Sequence, residues 1–576
     1  MTKASLLRRK AFDHRASTVA VALALLALWP SQATAQRPSP MPLGTSSISG
    51  RVTAGDTGKP IRGAVVEIVI YENLSGRFRQ VTTDPEGKFE FTKLPPGHYQ
   101  LAAQATRYLR MQFGQQQPGP AGLLNPARTI DLADAQAFTA ADFALSRFCA
   151  IEGVVVDEFG DPAPNVAIQV SQVQYAAGRR RLVPANPSLD AGPPRATDDL
   201  GHFRVGGLPP GDYYVEALSG AFADPNAAGG FAVTFFPGTP KPSGAQAVNL
   251  TTGHDALDVS FALAPAPMAQ VDGTLVDGGD HPLSRGTLML VPSERTGTSL
   301  FVMARTVSGD NGSFAFRNVP PGTYTIQAFG RPAGNAGNLG ASPFGYETFT
   351  VDGQDLADLK VKVPAPRSLR GHITFEGDTS ALPKTGDVFV SPRPIDFESA
   401  PMGGGPPPMT IHDDWTFEVN AMSGLRVVTV GSRQGWVMRR ATLSGQDVTD
   451  TPLDLREHDI NDLEIVLTLS TTTVTGTVTG RDDKPPPDCS VVVFADDDTK
   501  WTIWSRHVAF VRAGPPGTFT VKGLPAGSYV AVAAETLVNG EWQNPEFLHQ
   551  QRVSTDAVHF TLADGESKTL QLRLRR

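Results

Sequence analysis

Only two of the 576 residues are cysteine, Cys149 and Cys489, which excludes a disulfide-stapled scaffold. In an extended array the two lie in different domains, so a pair of buried free thiols is expected. Histidine is scarce as well: eleven residues stand singly, none opens a His-x-x-Glu pair, and His-Glu-x-x-His is absent. Zinc-peptidase chemistry therefore has no recognisable ligand set. Neither a Gly-x-Ser-x-Gly elbow nor a phosphate loop occurs. Positive charge is short too, with 50 Lys and Arg against 58 Asp and Glu. That balance argues against nucleic acid and anionic lipid as partners.

One long apolar run exists, Val19 to Trp29, preceded by Lys3, Arg8, Arg9, Lys10 and Arg15 and followed by Pro30 and Ala33-Thr-Ala35. The order basic, apolar, small-x-small reads as a signal peptide over 1–35, and the run is short for a membrane span. Sec export is expected over the twin-arginine route. Without the leader 45 basic residues face 57 acidic ones, and no second apolar span follows. The mature chain is expected to be periplasmic, cell-surface or secreted, with no transmembrane segment.

What the chain has in plenty is turn residues and strands. Gly and Pro number 57 and 48, yet 40% of residues are hydrophobic, as in folded all-β material. One pattern recurs. Strands open at Gly50, Gly153, Gly273, Gly371 and Gly476, at spacings of 103, 120, 98 and 105 residues, which are domain-sized. A turn and a Phe-x-Phe/Val strand follow, as in Asp84-Pro-Glu-Gly87-Lys-Phe89-Glu-Phe91 and Asp310-Asn-Gly312-Ser-Phe314-Ala-Phe316. Next comes a proline corner: Leu94-Pro-Pro-Gly97-His-Tyr99, Leu208-Pro-Pro-Gly211-Asp-Tyr213, Val319-Pro-Pro-Gly322-Thr-Tyr324 and Leu524-Pro-Ala-Gly527-Ser-Tyr529. Proline stops a ladder, glycine reverses the chain, and the tyrosine buries its ring while returning its hydroxyl to the backbone. The Phe strand and the Tyr strand read as an antiparallel hairpin. The fourth copy is degenerate, with Trp415 at the turn glycine, Ala421-Met-Ser-Gly424-Leu-Arg426 at the corner, and a Gly/Pro loop over 400–408.

The fold class is therefore all-β, a tandem array of about five small antiparallel β-sandwich domains, over 47–148, 149–267, 268–366, 367–470 and 471–576 after a linker of 36–46. Short Pro-containing linkers such as Ala264-Pro-Ala-Pro267 make the array semi-rigid.

These landmarks resemble the carboxypeptidase regulatory-like domain, a transthyretin-like sandwich of the wider carbohydrate-binding-like fold group. The resemblance covers most of 47–576. It implies a module found beside peptidases, outer-membrane receptors and adhesins, and does not imply catalysis.

No catalytic residue, cofactor or metal ligand is expected. Asp482-Asp483 and Asp496-Asp-Asp498 lack the spacing of an EF-hand loop and read as solvated turns, as does Arg179-Arg-Arg181. Apart from Trp29, every tryptophan lies in the last two units. Trp436, Trp501, Trp504 and Trp542 are the candidate ligand-binding residues, since indole offers a large apolar face and an N–H. Trp501 and Trp504, three apart, would face opposite sides of a regular strand. The expected function is a non-catalytic exported scaffold or binding protein, with a glycan or a cell-envelope protein as partner. The alternatives are an accessory subunit of an outer-membrane or secretion complex, and an enzyme whose site forms between domains.

Overall fold

In the computed structural model, the described residues are 43–574 apart from 73–74, 116–126, 177, 186–195, 219–229, 294–303, 331–341, 378–381, 396–399, 402–406, 481–482, 487–488, 515–516 and 536. The leader, Asp482 and the middle of the Gly/Pro loop lie outside them. Among the described residues the chain is all-β with one eight-residue helix, Pro545–Arg552, and five main hydrophobic cores follow one another in chain order.

Each unit is built around its opening strand. In unit one Ser46–Ala54 runs antiparallel to the Phe strand Lys88–Leu94 and parallel to the closing strand Phe143–Leu145. The same trio recurs through Ala269–Asp277 with Ser313–Val319 and Leu356–Val363, and through Thr473–Thr479 with Thr518–Lys522 and Ser567–Arg573. The parallel partner explains the opening glycine. A Cβ on Gly153, Gly273 or Gly371 would collide with the carbonyl oxygen of Val259, Leu359 or Leu463. Only glycine lets the two backbones approach so closely.

The second sheet holds the Tyr strand. In unit one Gly97–Ala105 pairs with Val65–Glu72, which pairs with Ser75–Thr82. The Phe and Tyr strands thus do not form the expected hairpin, because the proline corner carries the chain from one sheet to the other. A bulge sets up this crossing. Just before each corner a residue lies at positive φ: Lys93 at 58°, Gly207 at 78°, Asn318 at 54°, Ala421 at 61° and Gly523 at 80°. In units one to four the register of the Phe strand slips at this point. The corner tyrosines are buried, and each hydroxyl donates to the carbonyl four residues back: Tyr99 to Pro95 at 2.6 Å, Tyr213 to Pro209 at 2.7 Å, Tyr324 to Pro320 at 2.9 Å and Tyr529 to Pro525 at 2.7 Å. Burial raises the Tyr213 and Tyr529 phenols above the usual range.

Unit four departs from the plan in two ways. Arg426 takes the tyrosine's place, buried, with its Nε donating to Ser423 O at 2.8 Å. Val437–Leu443 joins the first sheet against Ile460–Thr468, whereas its counterpart in unit three, Phe344–Val351, stays with the Tyr strand. Trp415 stands at φ 64°, where Gly87, Gly201 and Gly312 stand at 73–78°.

Candidate ligand-binding cleft

The four candidate tryptophans do not share one site. Trp436 is 2% exposed inside the core of unit four, packed edge-on against Phe375. Its ring presents no face to a ligand. Trp501 belongs to a second core on the outer face of unit five, covered by the helix Pro545–Arg552, and its Nε1 donates to Ala495 O at 2.7 Å. Trp542 stacks on Phe510 at the edge of that core. The segment carrying Trp501 and Trp504 is a turn rather than a strand. Trp504 reaches unit four, where its Nε1 donates to Pro394 O at 2.8 Å under the Arg393 guanidinium.

Trp504 is one of several contacts that join units. Arg506 grips Asp450 of unit four with Nε and Nη2 at 2.9 and 3.0 Å and donates from Nη1 to Met438 O. His507 lies between Asp450 and the hydroxyl of Tyr529. Burial alone would raise the Asp450 carboxyl, but hydrogen bonds from His507 and Arg506, with their charge, outweigh it and hold the group far below the usual carboxylate range. Arg439 of unit four meets Asp564 of unit five at 2.8 Å. Gln327 of unit three donates to Ala400 O of unit four at 2.9 Å. Arg181 of unit two is buried and donates to Ser293 O of unit three at 3.0 Å.

One contact links units distant in sequence. The hairpin tip of unit two docks on unit five, where the Tyr175 amide donates to Asn539 O at 2.7 Å. A Cβ on Gly540 would collide with Tyr175 O, and one on Gly178 would press on Pro545. Units two, three, four and five thus close a circuit of contacts.

Between units two and three this arrangement leaves a cleft of about 1160 Å³. Its wall from unit two carries Arg179, Arg180, Arg181 and Lys241. Unit three supplies the corner around Tyr324 and the hydroxyls of Ser293, Thr323, Thr348 and Thr350. Among the described residues seven prolines line it, and no carboxylate does. The arginines, read as a solvated loop, lie instead on the strand Arg179–Pro184 at the cleft wall. No local signal marks them, because the opposing wall comes from another unit.

The remaining sequence candidates are simpler. Asp497 caps its own turn by accepting from the Thr499 amide and hydroxyl. Among the described residues no group of three His, Cys, Asp or Glu is placed to hold a metal ion, and no helix is long and apolar enough to cross a membrane. Both cysteines are free and buried, and burial pushes the Cys489 thiol up to about 11.

Residues 47–146 match the family model of the carboxypeptidase regulatory-like domain. The first sandwich is similar to that domain. The later units repeat the opening glycine and parallel closing strand of this first sandwich, and units two, three and five its tyrosine corner. No curated protein matches the chain. Among solved structures, a streptococcal ancillary pilin is 15% identical, over 55% of this chain and 98% of its own, at a TM-score of 0.19. The TIE protein of Bacillus anthracis is 11% identical, over 89% of this chain and 68% of its own, at 0.13. The minor pilin GBS52 of Streptococcus agalactiae is 15% identical, over 38% and 97%, at 0.21. At such TM-scores none of these likenesses bears on function.

Proposed function

We propose that the chain is an exported, non-catalytic scaffold whose regulatory-like units are joined to present a binding surface to a carbohydrate or a cell-envelope protein. The observation that carries this reading is the use made of the repeated residues. Opening glycines, Phe pairs and corner tyrosines all serve turns, close backbone approach or core packing, so the repeated pattern leaves nothing over for chemistry. Side chains outside the pattern, such as Arg181, Trp504 and Arg506, go to joining units. The basic and apolar leader supports export.

The test uses the mature chain purified after export from its own leader. It is incubated with peptide and glycoside libraries and, separately, immobilised on a glycan array and against solubilised envelope proteins. Retention of a glycan or an envelope protein without turnover is the expected result. Turnover that is lost on substitution within the chain overturns the scaffold reading.

A further inference from the structure

We infer that the cleft between units two and three is a binding site for a carboxylate-bearing polysaccharide, an inference that rests on the scaffold reading and names its ligand class. The chain carries a formal net charge of −8, yet among the described residues this cleft is lined by four cations and no acidic side chain. The Arg179 and Lys241 side chains are exposed and meet no carboxylate among the described residues. Arg180 lies against the Tyr214 ring and donates to its hydroxyl at 2.9 Å, which fixes the guanidinium without neutralising it. Arg181 acts differently. It is buried and holds Ser293 O across the junction, so it fixes the distance between the two walls. A concave wall of one sign focuses its field on the space it encloses, and planar guanidinium groups take carboxylates in bidentate fashion.

The rest of the lining selects among anions. Seven prolines contribute no backbone N–H, so these walls offer little to the carbonyls of an extended peptide. What they do offer is rigid apolar ring surface from the prolines, suited to the C–H faces of a pyranose. Thr323, Thr348, Thr350 and Ser243 are exposed hydroxyls that can donate to and accept from sugar hydroxyls. The volume exceeds the range of about 300–1,000 Å³ that a single drug-sized molecule fills, which favours an oligomer. Carboxylate, hydroxyl and apolar ring face on one repeating unit describe a uronic-acid polymer.

The test is affinity electrophoresis and calorimetry of the mature full chain with oligogalacturonate, with a neutral glucan oligomer, and with poly-L-glutamate of matched charge. Oligogalacturonate should bind and weaken as salt is raised. The variant Arg179→Gln/Arg180→Gln/Lys241→Gln, which keeps Arg181 and its junction, should lose about tenfold in affinity, as three exposed charge contacts imply. The variant Lys59→Gln/Arg62→Gln/Lys88→Gln removes the same charge from the exposed surface of unit one and should bind as wild type. Equal binding of the neutral glucan, preference for poly-L-glutamate, no binding of oligogalacturonate, or full retention by the cleft variant each overturns the site. Any of these leaves the scaffold reading standing, since that reading falls only to turnover.

Discussion

A side chain at positive φ is strained by contact of its Cβ with the backbone, at about 1–2 kcal/mol per residue. Unit four bears this strain at Ala421 and Trp415, where other units place Gly or Asn at one or both positions. Ala421→Gly should stabilise unit four by about 0.5–1 kcal/mol in calorimetric melts, the strain relieved less the extra freedom of glycine when unfolded. Trp415→Gly should destabilise it, since the same relief is outweighed by loss of a ring packed 4.6 Å from Phe375. Asp450 makes a pH-dependent contribution. Its carboxyl is depressed in the folded state, so the stability it adds is present above its unfolded value, about 4, and is lost as pH falls through that value toward the folded one. Asp450→Asn should cost about 1 kcal/mol near pH 7, modest because the carboxylate is 44% exposed, and the difference from wild type should shrink in melts below about pH 4. The thiols give a simpler check. Native protein at pH 8 should leave both Cys149 and Cys489 silent to a thiol reagent, and both should react once denaturant is added.

Among the elements, legibility followed locality. Opening glycine, turn glycine and corner tyrosine could be read because each answers a constraint met within a few residues or one neighbouring strand. The positive-φ residue before the corner could not, because Lys, Gly, Asn, Ala and Gly share no side-chain property, only a backbone angle. Val437–Leu443 likewise alternates like any strand, and alternation does not say which sheet it joins. The hairpin expected at the proline corner failed for a related reason: a tight turn looks the same in sequence whether it stays in one sheet or crosses to the next. Tryptophans drew attention as platforms, but a large apolar surface is also what a core takes up most readily, and Trp436 and Trp501 went there. Trp504 belongs to a turn whose role is its contact with unit four. Trp504→Ala should leave the core of unit five intact and loosen the junction, seen as faster amide exchange around Pro394 and Asp450 with little change in the main melting transition.

At the scale of the molecule, the circuit from unit two through units three and four to unit five depends on a short return contact at Tyr175 and Asn539. Gly540→Ala places a Cβ against Tyr175 O and should release that contact, raising the radius of gyration in solution scattering while circular dichroism stays unchanged. An unchanged radius would show that the other junctions alone hold the arrangement. The parallel pairing of first and last strands has a mechanical meaning. The chain enters each unit at one end of this pair and leaves it at the other, as in Thr473–Thr479 against Ser567–Arg573. Tension along the array therefore slides the two strands past each other and loads every hydrogen bond between them at once, instead of opening them one by one. A pull from the ends should break the contacts between units first, releasing length, before any sandwich yields in shear. That order lets the array lengthen under load while every sandwich stays folded.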